Sequence, residues 1–232
     1  MATIISYRDK YELESRAGDI ITQSVNRLLK KQKTAVLGIP GGRSVSGIFR
    51  RLRGKSISWG KIHIFMVDER LVPLDDPQSN FKLAREHLVD ELLARGRLPP
   101  ENVHPFVMDE SQPDFGISDY ENELLRHGGI YDVVLLSSGE DGHVAGLYPE
   151  HHSVRNESRS YIVFHDSPKP PKDRMSISRR LLTKSRVAIL LFEGEIKRAA
   201  YAKFHDKHTD FRLCPAKLVL SIRDSYVLTD LK

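Results

Sequence analysis

Unbroken apolar runs alternate along this chain with stretches whose apolar positions recur every three or four residues. Residues 7–31 place Leu13, Ala17, Ile20, Ile21, Val25, Leu28 and Leu29 at helical spacing and end in the basic KKQK run, which suits a helix C-terminus. Four apolar runs of strand length follow at 34–39 (TAVLGI), 62–67 (IHIFMV), 131–136 (YDVVLL) and 187–192 (VAILLF). A shorter strand is predicted at 103–106, and extended segments at 161–164, 218–222 and 225–228. Helices are predicted at 45–52, from a cap at Ser79 or Asn80 to about residue 93, at 117–126 and at 193–204. The stretches 40–44, 73–78 and 168–172 read as loops.

Strands apolar on both faces, separated by amphipathic helices, are the pattern of a largely parallel sheet covered on both sides. The expectation is α/β: one domain over residues 1–232, its mainly parallel β-sheet flanked by helices on both faces, Rossmann-like and doubly wound. No repeat, low-complexity tract or linker divides it. In such sheets the ligand crevice lies beyond the carboxyl ends of the strands. Three unusual loops follow three of the predicted strands, so they are expected to meet at one end.

Composition narrows the class. With 232 residues, 40% apolar and 29% charged, the chain can bury a real core, and extended disorder, collagen and coiled coil are excluded. The lone Cys214 precludes a disulfide scaffold, fits a reducing compartment and reads as buried and inert. No stretch nears the roughly 20 apolar residues of a membrane helix, and the N-terminus lacks a signal-peptide core, so a cytoplasmic location and no membrane partner are expected. The net charge of +5 is ordinary surface solubility with a mild preference for anions. No basic-aromatic stripe supports nucleic-acid binding.

The first loop holds Gly41, Gly42, Arg43 and Ser44 between a strand and a helix. Paired glycines let backbone approach an anion, and Arg43 and Ser44 add donors. The same residues suit a tight turn with Ser44 capping the helix. Neither Walker A spacing nor GxGxxG is present, which argues against a nucleotide. The second loop, Asp68-Glu69-Arg70, is either a solvated charged turn or a ligand contact; Arg70 carries the guanidinium fork that matches phosphate oxygens. The third is Ser138-Gly139-Glu140-Asp141-Gly142-His143. Here His143 is placed to act as a general base near neutral pH, with Asp141 able to fix its tautomer. His143, His151 and His152 match no metal-ligand spacing and no GxSxG elbow occurs, so neither a metal nor a serine nucleophile is expected.

Taken together, the order GGRS … DER…P…SN … GEDGH resembles the 6-phosphogluconolactonases, which share a superfamily with glucosamine-6-phosphate isomerase/deaminase. The likeness extends over nearly the whole chain, through VDERLVPLDDPQSNF, VVLLSSGEDGHVAGLYP, DSPKPPKDRMSIS and CPAKLVL. It implies hydrolysis of 6-phospho-D-glucono-1,5-lactone to 6-phosphogluconate, with a small sugar-phosphate lactone as the partner and no cofactor. By the motif match, His143 is the catalytic histidine and Asp141 its acid. Gly41, Gly42, Arg43, Ser44, Asp68 and Arg70 face sugar and phosphate, and Arg174 falls on a basic position lining the site. Two departures stand out: Arg43 where many relatives carry a hydroxyl residue, and LLSSGEDGH where many carry LGMGxDGH.

The sister deaminases follow GxDGH with IAFNEP, placing a glutamate five residues past the histidine; here that residue is Tyr148. They also tend to have DEY where this chain has DER. A sugar-phosphate-sensing regulator is disfavoured because about thirty residues precede the first predicted strand, too few for a DNA-binding module. The sequence leaves oligomeric state open.

Overall fold

The structure, a computed structural model, describes residues 2–231. Seven strands form one sheet in which every pairing is parallel: β1 (Thr3–Ser6), β2 (Ala35–Ile39), β3 (Ile62–Met66), β5 (Val103–His104), β6 (Val133–Ser137), β9 (Val187–Phe192) and β10 (Asp224–Thr229), in the order β1-β10-β9-β6-β2-β3-β5. β2, β3 and β9 are buried along their whole length, as their unbroken apolar sequences require. From β2 the chain moves outward through β3 to β5, then returns to β6 on the other side of β2 and continues to β9 and β10. With right-handed crossovers this reversal puts helices on both faces and creates a switch point between β2 and β6.

One helical face consists of helix Lys10–Leu29, packed on helix Ser46–Arg53, which in turn packs on the helix begun at Asn80–Ala84. Asp9 caps the first of these through its carboxylate, which explains a start three residues later than the apolar spacing suggests.

A second, antiparallel sheet of β4 (Asp68–Arg70), β8 (Arg174–Ile177) and β7 (Tyr161–Phe164) was not expected. β3 runs almost directly into β4: Val67 donates to Ile39 O on one side and accepts from Ile177 N on the other. The charged triplet read as a loop is therefore a strand, and its register sets Arg70 opposite Arg174. The Tyr131 and Tyr161 hydroxyls, 2.7 Å apart, tie the two sheets together in the core.

Glu69, only 1% exposed, fixes this junction. Its carboxylate accepts from the amides of Arg70, Asn80 and Phe81, each at 2.7 Å, and from Ser79 Oγ at 3.2 Å. Burial pushes its pKa up while the three amides pull the other way. The acid thus sits at the positive end of the helix starting at Asn80 and locks β4 to it.

Three other expectations change. Residues 218–222, predicted as extended, lie mostly in a 3-10 helix, Pro215–Ser221; a short apolar run does not by itself distinguish the two, and Pro215 presets the opening turn. The helix predicted from 193 starts only at Arg198, after a turn at Gly194 and a 3-10 segment Glu195–Lys197. The helix predicted to about residue 93 is broken by a π-helical segment, Arg85–Val89.

Removing the buried acid strands its donors. Glu69→Ala is expected to lower unfolding free energy by about 3 kcal/mol in a urea titration, and a loss below about 1 kcal/mol would contradict the locking role.

Candidate active site

At the switch point the loop after β2 touches the carboxyl end of β6: Ser44 Oγ and Ser137 Oγ are 2.8 Å apart. Ser44 does not cap the following helix, whose N-cap is Val45 without a side-chain bond. With β4 as a third wall, these loops enclose a cavity of about 410 Å³. Gly41, Gly42, Arg43, Ser44, Asp68, Arg70 and His143 all line it. Asp141 lies beside His143.

Asn80 lies between the first loop and β4. Its Nδ2 donates to the Asp68 backbone oxygen at 3.0 Å and carboxylate at 2.9 Å. A Cβ on residue 41 would fall 1.9 Å from Asn80 Oδ1, so only glycine fits there. Arg70 donates through Nη1 to Gln78 O, and its buried Nε has no hydrogen-bond partner among the described residues.

In the third loop Asp141 Oδ1 lies 2.6 Å from His143 Nδ1 and also accepts from the His143 amide at 3.1 Å. A carboxylate on Nδ1 makes that nitrogen the donor and leaves Nε2 as the lone-pair nitrogen. Burial works to raise the Asp141 pKa, but the bonds from His143 and the charge of Lys169 outweigh it and hold it well below the usual carboxylate range. The stability this carboxylate contributes is therefore present above the ordinary aspartate value and is lost only as pH falls through the depressed one. The imidazole packs at a tilt against the buried Tyr148, with ring centroids 4.8 Å apart. It also lies so close to Gly139 that a Cβ there would sit 2.0 Å from Nδ1. From behind, the Ala216 amide donates to Gly142 O at 2.9 Å and braces the loop.

Arg174 does not line the cavity. It is 4% exposed, and its Nη2 donates to Pro170 O at 2.9 Å and Lys169 O at 3.4 Å. It anchors the proline-rich loop that carries Lys169. Sequence reasoning passed over three polar lining residues: Asn80, read only as a helix cap, Lys169 and Lys197. Lys169 bonds Glu140 at 2.8 Å and stands 3.8 Å from Asp141. Burial pushes the Lys197 ammonium down, against the pull of Glu140. Lys197 follows β9, and the convergence of loops at the carboxyl ends of parallel strands is the signal that could have found it. The cavity thus offers Arg43, Arg70, Lys169 and Lys197 against Asp68 and Glu140, a surplus of positive charge beside a carboxylate-oriented imidazole. That arrangement suits an anionic substrate held in place while a proton is moved.

The family model for glucosamine-6-phosphate isomerases/6-phosphogluconolactonase matches residues 8–228. A 6-phosphogluconolactonase of Borreliella burgdorferi is 31% identical over 232 residues, covering 100% of this chain and 97% of the relative. The crystal structure of 6-phosphogluconolactonase from Thermotoga maritima superposes with a TM-score of 0.82 at 26% identity, covering 99% of each chain. A monomeric glucosamine-6-phosphate deaminase superposes nearly as well, TM-score 0.81 at 20% identity, over 98% of this chain and 96% of its own. The fold alone thus does not separate the two activities.

Gly139→Ala is expected to push the imidazole off Asp141. In proton NMR the downfield Nδ1–H resonance of a strongly hydrogen-bonded imidazole should be present in the parent protein and lost in the variant, with far-UV circular dichroism unchanged.

Proposed function

The chain belongs to the glucosamine-6-phosphate isomerase/6-phosphogluconolactonase family, and on that footing we propose that its reaction is the lactonase's, hydrolysis of 6-phospho-D-glucono-1,5-lactone to 6-phosphogluconate. The observation that carries the chemistry is the Asp141–His143 pair at 2.6 Å on the wall of a cation-rich cavity. Tyr148, where the sister deaminases place a glutamate, supports hydrolysis over isomerisation.

A lactone is an activated ester, so water suffices as the nucleophile. His143 Nε2 takes a proton from a water as its oxygen bonds to C1, and the carbonyl electron pair moves onto oxygen. Lys197 and Lys169, which interact with the acids of the histidine loop, offset the charge that develops. When the tetrahedral species collapses, the bond from C1 to the ring oxygen breaks and the His143 imidazolium returns its proton to that oxygen. Asp141 keeps its negative charge throughout and stabilises the transient imidazolium. The phosphate rests on Arg70, Arg43 and the glycine loop, which turns binding energy into orientation. Arg174 acts from behind as a positioning residue for Lys169. The substrate is a soluble small molecule, and among the described residues no helix is long and apolar enough to cross a membrane.

The test is a coupled assay on freshly generated lactone, with product read as NADPH through 6-phosphogluconate dehydrogenase and the spontaneous rate subtracted. His143→Ala is expected to lower kcat by about 10²-fold or more with the fold retained. Arg70→Ala is expected to raise KM by about tenfold with kcat little changed, as loss of a charge-assisted contact to the phosphate predicts. Absence of acceleration by folded parent protein would overturn the lactonase reading, and an unchanged KM would remove Arg70 from the phosphate site.

A further inference from the structure

Near the start of β3, away from the strand ends that build the cavity, lies a histidine group that the reaction does not use. His63 on β3 and His104 on β5 are each 8% exposed, with His63 Nδ1 3.0 Å from His104 Nε2. Phe65, on the same face of β3 as His63, stacks on the His104 ring at 4.2 Å and fixes its plane. His127, which ends the helix Ile117–Arg126, stacks on His63 at 3.6 Å. One nitrogen from each of the three rings lies within 4.8 Å of the others.

The outer nitrogens are already spoken for. Glu123 Oε1 is 3.5 Å from His104 Nδ1 and 3.1 Å from His127 Nε2, while its Oε2 accepts from Arg126 at 2.7 Å. A carboxylate that receives one nitrogen of an imidazole orients the other toward a metal. This leaves His104 Nε2 against His63 Nδ1, with His127 stacked beside them and one ligand nitrogen of each ring within 4.8 Å of the others. Tetrahedral zinc with bonds of about 2.0–2.1 Å separates its ligand nitrogens by about 3.3 Å, close to the gap between His63 and His104. Burial lowers the pKa of His63 and brings that of His104 to about 4, so both rings keep their lone pairs at neutral pH. A surface cavity of about 420 Å³, lined by His104 and Glu123, supplies an entry path.

We propose that His63, His104 and His127 bind one zinc-class divalent ion, with Glu123 orienting two of the rings and solvent from the adjoining cavity in the fourth position. Binding replaces the His63–His104 hydrogen bond and tilts His127 out of its stack, a movement open to a half-buried ring at a helix end. Imidazole ligands select zinc, cobalt, nickel or copper over magnesium. The ion pins β3 and β5 to the helix before β6, so its effect is on stability, independent of the lactonase reading.

The protein is treated with chelator, exposed to zinc chloride and dialysed, and bound metal per chain is measured by atomic emission. One zinc per chain is expected, with melting temperature rising as zinc is added and unaffected by magnesium. Cobalt should give the intense visible bands of a tetrahedral site. His104→Gln and His127→Gln should abolish uptake, and Glu123→Gln should weaken it by about 10–100-fold. If His104→Gln fails to fold, His127→Gln decides alone. His152→Gln, in the exposed group of His151, His152 and Asp166, should leave uptake intact. No retained zinc, or retention that follows His152 instead of His127, overturns the proposal.

Discussion

A single buried carboxylate sets the geometry on which the cavity depends. Glu69 takes three amides and a hydroxyl into a site closed to water, and in doing so joins β4 to the helix that starts at Asn80. Its neighbours on either side, Asp68 and Arg70, are thereby presented to the cavity with their backbone already fixed. Asn80, positioned by the same bonds, reaches across to Asp68 and lies against Gly41. Backbone amides are rigid donors, so this wall has little freedom to relax when a charged ligand arrives or leaves.

The opposite wall depends on topology rather than on one contact. The chain reverses direction across the sheet between β2 and β6, and no crossover passes through the space between their carboxyl ends. The glycine loop and the histidine loop therefore face each other across a gap that the fold itself leaves open. What fills that gap chemically is local: Asp141 turned onto His143, and Gly139 lacking the atom that would displace the ring.

The parts of this arrangement that were legible in the sequence are those written in contiguous residues. Buried parallel strands announce themselves as unbroken apolar runs, and the segments at 34–39, 62–67, 131–136 and 187–192 correspond to β2, β3, β6 and β9. The three loops carry their chemistry within a few residues each. What escaped is set by distant partners. β1 lies at a sheet edge and is mostly exposed, so it lacks an apolar run. β8 opens with Arg174, whose charge masks a strand and whose burial follows from the Lys169 and Pro170 carbonyls it holds. That burial also explains why a residue expected on the cavity wall stands behind it. Lys197 sits in a 3-10 turn with no motif of its own, and it reaches the cavity only because β9 is neighbour to β6.

The place of β10 has a consequence for how the sheet and the histidine loop are completed. It follows β9 in the chain, yet it pairs with both β1 and β9, separating β1 from the rest of the sheet. Immediately before it runs the segment whose Ala216 amide braces the histidine loop. A chain folded only as far as Lys197 thus holds every cavity-lining side chain and still lacks both the brace and the closed sheet. Bracing of the histidine loop and closure of the sheet therefore both depend on residues 215–229, and without them β9 is left with an open strand edge.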